Sequence, residues 1–196
     1  ALAGSYDTPG WASGVAISGD HAYVADYGTG VQVVDISDPT NPALAGSYDT
    51  PGYAYGVAIS GDHAYVADGS SGLQVLDISG PAAPEFAGSY YSPFEALGVV
   101  VSGDHAYVAD GYAGLQVLDI SDPTAPVLAR SCGTPSSAHG VAIAGDYAYV
   151  ADTGAGLQVV DISDPTNPAL AGSYDTPGSP VGVAIAHDHA YLAAYQ

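Results

Sequence analysis

The stretch GVAISGDHAYVADYGTGVQVVDISDPTNPALAGSYDTPG, residues 14–52, decides the fold, because almost the whole chain consists of copies of it. Alignment at a period of 42 residues needs no insertion or deletion, and residues 32–52 and 158–178 are identical. Copies this similar must meet nearly the same surroundings, as they do in a ring or a solenoid of stacked units. We therefore expect one repeat domain over residues 1–196. Its units are 1–42, 43–84, 85–126, 127–168 and a partial fifth at 169–196.

Each unit contains four short apolar segments with the character of β-strands. In the first unit they are residues 2–7, 14–18, 21–26 and 31–36. Turn signals separate them, such as Gly19-Asp20 and the Pro-bounded run 38–42. Four antiparallel strands in a unit of this length are typical of a propeller blade. The sequence predicts an all-β chain, a β-propeller of four complete four-stranded blades plus an incomplete fifth, within a five-bladed ring. A right-handed β-solenoid is the alternative, although its coils usually run shorter.

The composition narrows the possible partners. Against 21 acidic residues the chain has a single Lys or Arg, which gives a formal net charge of −20. Nucleic acid and anionic membrane surfaces are recognised through Lys and Arg, so neither is an expected partner. No apolar run approaches the roughly 18 residues of a membrane-spanning helix, so we expect no membrane insertion. The single cysteine excludes a disulfide framework within the chain.

Two recurring motifs carry a family resemblance. One is the apolar core before the Pro-bounded loop, and the other is the AYVAD run, first seen at 22–26. Copies of the apolar core lie at 31–35, 73–77, 115–119 and 157–161. The chain resembles the LVIVD repeat family of bacterial and archaeal surface or secreted proteins. The resemblance implies a β-propeller and a location outside the cell or at the cell surface. It implies no general activity.

No catalytic constellation is evident, and we expect the protein not to be an enzyme. There is no G-x-S-x-G elbow, and Cys132 has no His or Lys near it in sequence. Recurring Asp residues, such as those at 20, 26 and 35, suit turns, where Asp bonds its own backbone. We predict no cofactor and no metal site. Calcium held by Asp residues and loop carbonyls is the alternative.

The incomplete fifth unit is the most informative feature for function. It stops before the third strand, which in other units reads like GLQVVDIS. An unpaired strand edge invites pairing with another chain. We therefore predict an assembly edge at the two ends of the chain, with another copy of the protein as the partner. Its residues are Leu2, Ala3, Gly4, Ser5 and Tyr6 at one end, and His189, Tyr191 and Ala193 at the other. The first hypothesis is an extracellular structural protein that forms a filament or surface layer.

Aromatic residues that differ between units suggest a second hypothesis. Trp11, Tyr53 and Tyr55 fall in the loops that lead into the innermost strands. The position of Trp11 holds Glu or Ser in later units, and loops at one end of a ring are where binding usually evolves. These three aromatics form a candidate binding face. The corresponding hypothesis is a monomeric ligand-binding or adhesion propeller of a cell-surface protein. A designed or reconstructed repeat protein is a further alternative, because such regular repeats are highly designable.

Overall fold

The computed structural model describes residues 2–196, which contain eighteen β-strands. The strands are β1 (Gly14–Ser18), β2 (His21–Ala25), β3 (Val31–Asp35), β4 (Ala43–Tyr48), β5 (Gly56–Ser60), β6 (His63–Ala67), β7 (Leu73–Asp77), β8 (Glu85–Tyr90), β9 (Ala96–Ser102), β10 (His105–Asp110), β11 (Leu115–Asp119), β12 (Val127–Cys132), β13 (Ala138–Ala144), β14 (Tyr147–Asp152), β15 (Gly156–Asp161), β16 (Ala169–Tyr174), β17 (Ser179–Ala186) and β18 (His189–Tyr195). None of the described residues forms a helix that could cross a membrane.

The strands form four antiparallel four-stranded sheets and one two-stranded sheet, each in chain order. We call the sheets blades 1 to 5, so that blade 1 is β1–β4 and blade 5 is β17–β18. The predicted all-β fold, with four complete blades and an incomplete fifth, is confirmed. Tight turns fix each hairpin. In blade 1, Gly19 has φ +56°, the left-handed conformation that a two-residue hairpin turn requires, and the ladder begins at once with Ser18 opposite His21.

The first strand of each blade lies nearest the axis. β1 packs on β5, β5 on β9, β9 on β13, and β13 on β17. Glycine permits this close approach. A Cβ on Gly14 would lie 3.1 Å from the Cα of Gly56, and one on Gly140 would lie 3.0 Å from the Cα of Gly182. A Cβ on Gly182 would have just the Cβ of Ala193 within 4 Å among the described residues. The ring is therefore open between β17 and β1.

Apolar side chains between neighbouring blades form the core. Between blades 1 and 2, Val31 and Val33 of β3 are fully buried in one cluster with Val66 of β6 and Leu76 of β7. Equivalent clusters lie between blades 2 and 3 and between blades 3 and 4. Fully burying one such side chain contributes about 1.5–3 kcal/mol to stability. Each blade is thus stabilised mainly by the next one.

Buried aspartates fasten the incoming loops of blades 1, 2 and 4 through hydrogen bonds. Asp68, at the end of β6, accepts hydrogen bonds from Thr50 Oγ1 at 2.6 Å and from the Gly52 backbone N–H at 2.8 Å. Asp26 accepts equivalent bonds from Thr8 Oγ1 at 2.7 Å and from the Gly10 N–H at 2.8 Å. These carboxylates join the loop between two blades to the second strand of the following blade, and so they fix the step from one blade to the next.

The recurring aspartates therefore divide into two groups. Exposed Asp35 and Asp38 accept bonds from the backbone N–H groups two residues later, at Ser37 and Thr40, as predicted for turn aspartates. The buried group instead bridges segments about 16 to 18 residues apart. In the fifth unit Ala194 takes the place of this aspartate. In the described chain, the Thr176 hydroxyl, which corresponds to Thr50, is buried without a hydrogen-bond partner.

We predicted a β-strand at residues 2–7, but the structure has no strand there. No backbone hydrogen bond is made by this segment within the described residues. The segment nevertheless lies where an outer strand belongs. A Cβ on Gly4 would lie 2.5 Å from the Pro39 carbonyl oxygen, and one on Gly46 of β4 would lie 2.6 Å from that of Pro81. Residues 2–7 thus occupy the outer-strand place next to blade 1, but the strand that would pair with them is missing from blade 5.

Replacing Asp68 with Ala tests the loop clamp. The change leaves the Thr50 hydroxyl and the Gly52 N–H without their acceptor, so we expect a loss of about 1–3 kcal/mol in the free energy of unfolding. Urea denaturation measures it. The matched control is Asp62→Ala in the exposed β5–β6 turn, where we expect about 0.5 kcal/mol or less. Equal losses for the two variants would contradict the clamp.

Candidate functional site

The face of blade 1 that borders the ring opening is partly uncovered: its β1 side chains are exposed, whereas Ala22 and Val34 are buried. Val15 and Ile17 of β1 are 63% and 65% exposed, whereas Val57, which corresponds to Val15 in blade 2, is 9% exposed. The side chains of this surface match those that blade 2 buries against blade 1. We call it the start face, and it consists of Val15, Ile17, Ala22, Val24, Val34 and Ile36.

The start face and the N-terminal segment enclose a groove of about 1040 Å³. Tyr6 lies on one side of the groove, and Pro39 and Pro42 close its outer end. In the complete interfaces, the corresponding space holds third-strand side chains such as Val31 and Val33. The groove therefore corresponds to one side of a blade interface, and the described residues supply no third strand for the other side.

The opposite end of the ring is also uncovered. His189, Tyr191 and Ala193 alternate along β18, which places them on one side of the strand, and all three are exposed. Their counterparts Tyr23 and Ala25 in blade 1 are buried against blade 2. We call this surface the end face, and it consists of His189, Tyr191 and Ala193. The predicted assembly edge therefore lies on two separate surfaces, since Leu2, Ala3, Gly4, Ser5 and Tyr6 border the start face.

A cavity of about 640 Å³ lies on the axis, at the end of the ring where the loops enter the inner strands. The residue before the close-packed glycine of each inner strand lines it. In the five units these residues are Ser13, Tyr55, Leu97, His139 and Val181. All five differ in type, although the glycine that follows is the same in every unit. The repeat is therefore broken at the position that faces the cavity.

The residues of the cavity wall with polar side chains are Glu95, His139, three tyrosines and two serines: Tyr55, Tyr112, Tyr195, Ser13 and Ser137. Burial lowers the pKa of His139, and Glu95 and Asp152 partly oppose that shift. Burial, the Tyr27 hydroxyl and, more weakly, Glu95 raise the pKa of Tyr55 to about 12. At neutral pH the cavity therefore holds a neutral imidazole and a protonated phenol beside the Glu95 side chain.

The predicted binding aromatics lie together, and one of them, Tyr55, lines this cavity. Tyr27 stacks on Tyr53, with ring centroids 4.3 Å apart and planes 5° from parallel. Trp11 lies 5.6 Å from the same Tyr27 ring, and Tyr55 meets it edge-on at 5.4 Å. Trp11, Tyr53 and Tyr55 are thus joined by a fourth residue that sequence reasoning missed. The available signal was that Tyr27 stands where the second and third units have glycine.

Tyr27 adopts an unfavourable backbone conformation. Its φ is +54°, close to the +55° of Gly69 and the +49° of Gly111, which take its place in blades 2 and 3. In all three blades this residue forms a two-way backbone bridge to the next blade, in blade 1 to Ala54. A non-glycine residue in this region costs about 1–2 kcal/mol. Aromatic stacking offsets part of that cost.

The remaining candidates for chemistry among the described residues are clusters of metal-binding side chains and the thiol of Cys132. Within residues 2–196, no group of three or more His, Cys, Asp or Glu side chains could hold a metal ion. Cys132 is buried, and burial raises the pKa of its thiol. A protonated buried thiol is a poor nucleophile.

The sequence was compared with models of known protein families. The LVIVD repeat model matches four times, at residues 9–50, 51–92, 95–134 and 135–176. The chain belongs to the LVIVD repeat family. The four matches cover most of the chain, and their spacing follows the blades. A search of curated proteins found no match for this LVIVD repeat protein.

Solved structures resemble the fold. A functionally unknown protein from Desulfotomaculum acetoxidans superposes with a TM-score of 0.77 at 12% identity, over 96% of this chain and 64% of that one. The computationally designed Ika8 protein gives 0.72 at 11% identity, over 93% of this chain and 55% of that one. The β-propeller domain of Cps50 (Swd1) from Myceliophteria thermophila gives 0.66 at 15% identity, over 84% and 58%. The chain thus spans between half and two thirds of each. At these identities the likeness shows the propeller fold alone.

Two substitutions at Tyr27 test the balance of strain and stacking. Both Tyr27→Ala and Tyr27→Gly remove the stack, but glycine alone releases the strain, so we expect Tyr27→Gly to be the more stable by about 1 kcal/mol. Urea denaturation measures the difference, and the fluorescence of the neighbouring Trp11 reports the cluster. Exposed Tyr91, which has no positive φ, is the control site, where the Ala variant should be at least as stable as the Gly variant. If the Gly variant were the more stable at both sites, or the less stable at both, the backbone strain at Tyr27 would be contradicted.

Proposed function

We propose that this LVIVD repeat protein is a non-enzymatic structural protein that assembles head to tail outside the cell, as a filament or a surface layer. One observation carries the proposal: Val15 and Ile17 of the start face are exposed, although their counterparts in blade 2, buried Val57 and partly buried Ile59, pack in the core against blade 1. Repeat arrays need polar terminal units to remain separate, and this surface is apolar. The extracellular location rests on the family resemblance.

The occupant of the start face that fits best is a second copy of the chain. The interface between blades 1 and 2 joins the face carrying Tyr23 and Ala25 to the face carrying Val57 and Ala64. The end face presents Tyr191 and Ala193 at the positions of Tyr23 and Ala25. The start face presents Val15 at the position of Val57. The end face of one copy therefore has the side chains that fit the start face of another.

The N-terminal segment extends this contact along the backbone. Residues 2–7 make no backbone hydrogen bonds, and β18 pairs with β17 on one edge while its other edge is free in the described chain. When two copies meet head to tail, the free segment of one and the free edge of the other lie in the same blade, separated by the place of the third strand. An inward shift of about one strand spacing, about 4.8 Å, brings them together. Pairing them would satisfy two rows of backbone groups that otherwise rely on water. This is strand complementation of the incomplete fifth blade.

The geometry of such a contact favours an open polymer. The start and end faces are different surfaces, so the association is heterologous and continues from copy to copy unless it closes into a ring. Charge does not prevent it. A net charge of −20 is spread over 9279 Å², a mean spacing of about 20 Å, compared with a Debye length of about 8 Å at physiological salt. We expect assembly to strengthen as salt is added.

A monomeric binding or adhesion propeller is the second candidate, and the axial cavity favours it. The two functions use different surfaces, because neither Val15 nor Tyr191 lines the cavity. Sedimentation distinguishes them. A single species near 19.5 kDa at all concentrations supports the monomeric propeller, and growth of larger species with concentration supports assembly.

Charged substitutions on the start face test the assembly. In the double variant Val15→Asp with Ile17→Asp, two carboxylates would have to be buried, so we expect the sedimenting species to remain monomeric where the unchanged protein grows. The matched control is Val127→Asp, because Val127 is 55% exposed on β12, outside both faces. Growth of the double variant like that of the unchanged protein, or equal inhibition by the control, would refute a role for the start face.

Changing the N-terminal segment tests the strand complementation separately. Replacing residues 2–6 with a Gly-Ser run of equal length removes the Leu2 and Tyr6 side chains but keeps Thr8 and its bond to Asp26. We expect the polymers seen by electron microscopy to shorten or disappear, because the run is more flexible and loses its apolar contacts. Unchanged long polymers would show that the start face assembles without this segment. Thermal unfolding of the variant provides the check on its fold.

A further inference from the structure

We propose that the axial cavity binds a small organic cation, an ammonium group attached to an apolar or aromatic body. The proposal goes beyond the assembly, since the cavity shares no wall residue with the end face and takes none of the apolar side chains of the start face. It stands on three observations: the broken repeat at the cavity wall, the charge of the wall, and the aromatic rings around it.

The sequence varies at the cavity wall, whereas long stretches elsewhere repeat unchanged. Residues 32–52 and 158–178 are identical, yet the five axial positions hold Ser, Tyr, Leu, His and Val. The position two residues earlier also changes, from Trp11 through Tyr53 and Glu95 to Ser. If these residues served packing alone, a repeated environment would favour a repeated side chain. An asymmetric wall is what the recognition of an asymmetric small molecule requires.

The charge of the wall selects a cation. Of the described residues that line the cavity, Glu95 has the one carboxyl group and none is Lys or Arg. The chain's single Arg, Arg130, lies on β12 at the outside of blade 3. His139 beside Glu95 is kept neutral by burial. An anion would find no charge partner here and would face a protein of net charge −20, whereas an ammonium group would find Glu95.

The remaining wall suits the apolar part of such a ligand. Phe94 and Tyr112 meet edge-on, with ring centroids 6.2 Å apart and planes at 70°, and both are exposed. Leu97 and Val181 supply aliphatic surface. Aromatic faces attract ammonium groups, most strongly where water is partly excluded. A volume of about 640 Å³ lies within the range of small-molecule sites.

Benzyltrimethylammonium is a suitable probe, because it combines a quaternary ammonium with one aromatic ring. Phenylacetate and benzyl alcohol match it in body but are anionic and neutral. Calorimetric titration of the full chain should show saturable binding of one benzyltrimethylammonium per chain. We expect binding of the other two to be roughly tenfold weaker or undetectable, the scale of one close charge pair at a partly enclosed site. Equal binding of all three probes, or no saturable binding of the cation, would overturn the proposal.

Matched variants locate the binding. Glu95→Gln should weaken binding of the cation roughly tenfold, on the scale of one close charge pair at a partly enclosed site. Glu85→Gln on β8 removes the same charge elsewhere and should leave binding unchanged, which controls for attraction by net charge. Tyr112→Ala should weaken binding several-fold, whereas Tyr174→Ala, at a similar exposure of 67% against 72%, should not. Equal effects of Glu95→Gln and Glu85→Gln in variants with unchanged thermal unfolding would place the cation outside the cavity and refute the site.

Discussion

Each blade of this protein has two apolar faces, and a blade cannot bury either of them by itself. Val31 and Val33 of blade 1 become buried core because Val66 and Leu76 of blade 2 cover them, and the same arrangement recurs along the ring. The rest of the structure depends on this coverage. Each blade is stabilised by its neighbours, as in other repeat proteins. Within the described residues, the first and last blades each have one face that no other blade covers.

Two smaller devices set the distance and angle between blades. The axial glycines let inner strands approach until the backbone of one meets the backbone of the next. The buried aspartates of blades 1, 2 and 4 hold incoming loops against their blades through hydrogen bonds such as those to Thr50 and Gly52. At the fifth unit both devices end together. Gly182 has no following blade, and Ala194 cannot accept the bonds that the aspartate accepts in earlier units. The open end of the ring is thus less firmly held than its middle.

The two candidate sites are related to the repeat in opposite ways. At the start face the sequence keeps to the repeat, and the site is a face that no other blade of the described residues covers. At the axial cavity the sequence departs from the repeat, with Tyr55 and His139 at equivalent positions. A repeat interface left uncovered is complementary to another copy of the same chain. A wall in which every unit differs suits one asymmetric molecule. Self-assembly and small-molecule binding can therefore coexist in one ring.

The sequence by itself determined the repeat and the four-stranded blade, because the period of 42, the turn residues and the alternation of apolar residues are local properties. It also identified Trp11, Tyr53 and Tyr55, since their variation can be read from the aligned units. Only the tertiary structure decided that residues 2–7 remain unpaired, that Tyr27 joins the aromatic cluster, and that Glu95 and His139 border one cavity. These facts depend on which blades come close and on where the ring stays open. Such distances arise from the packing of blade on blade, which no single unit specifies.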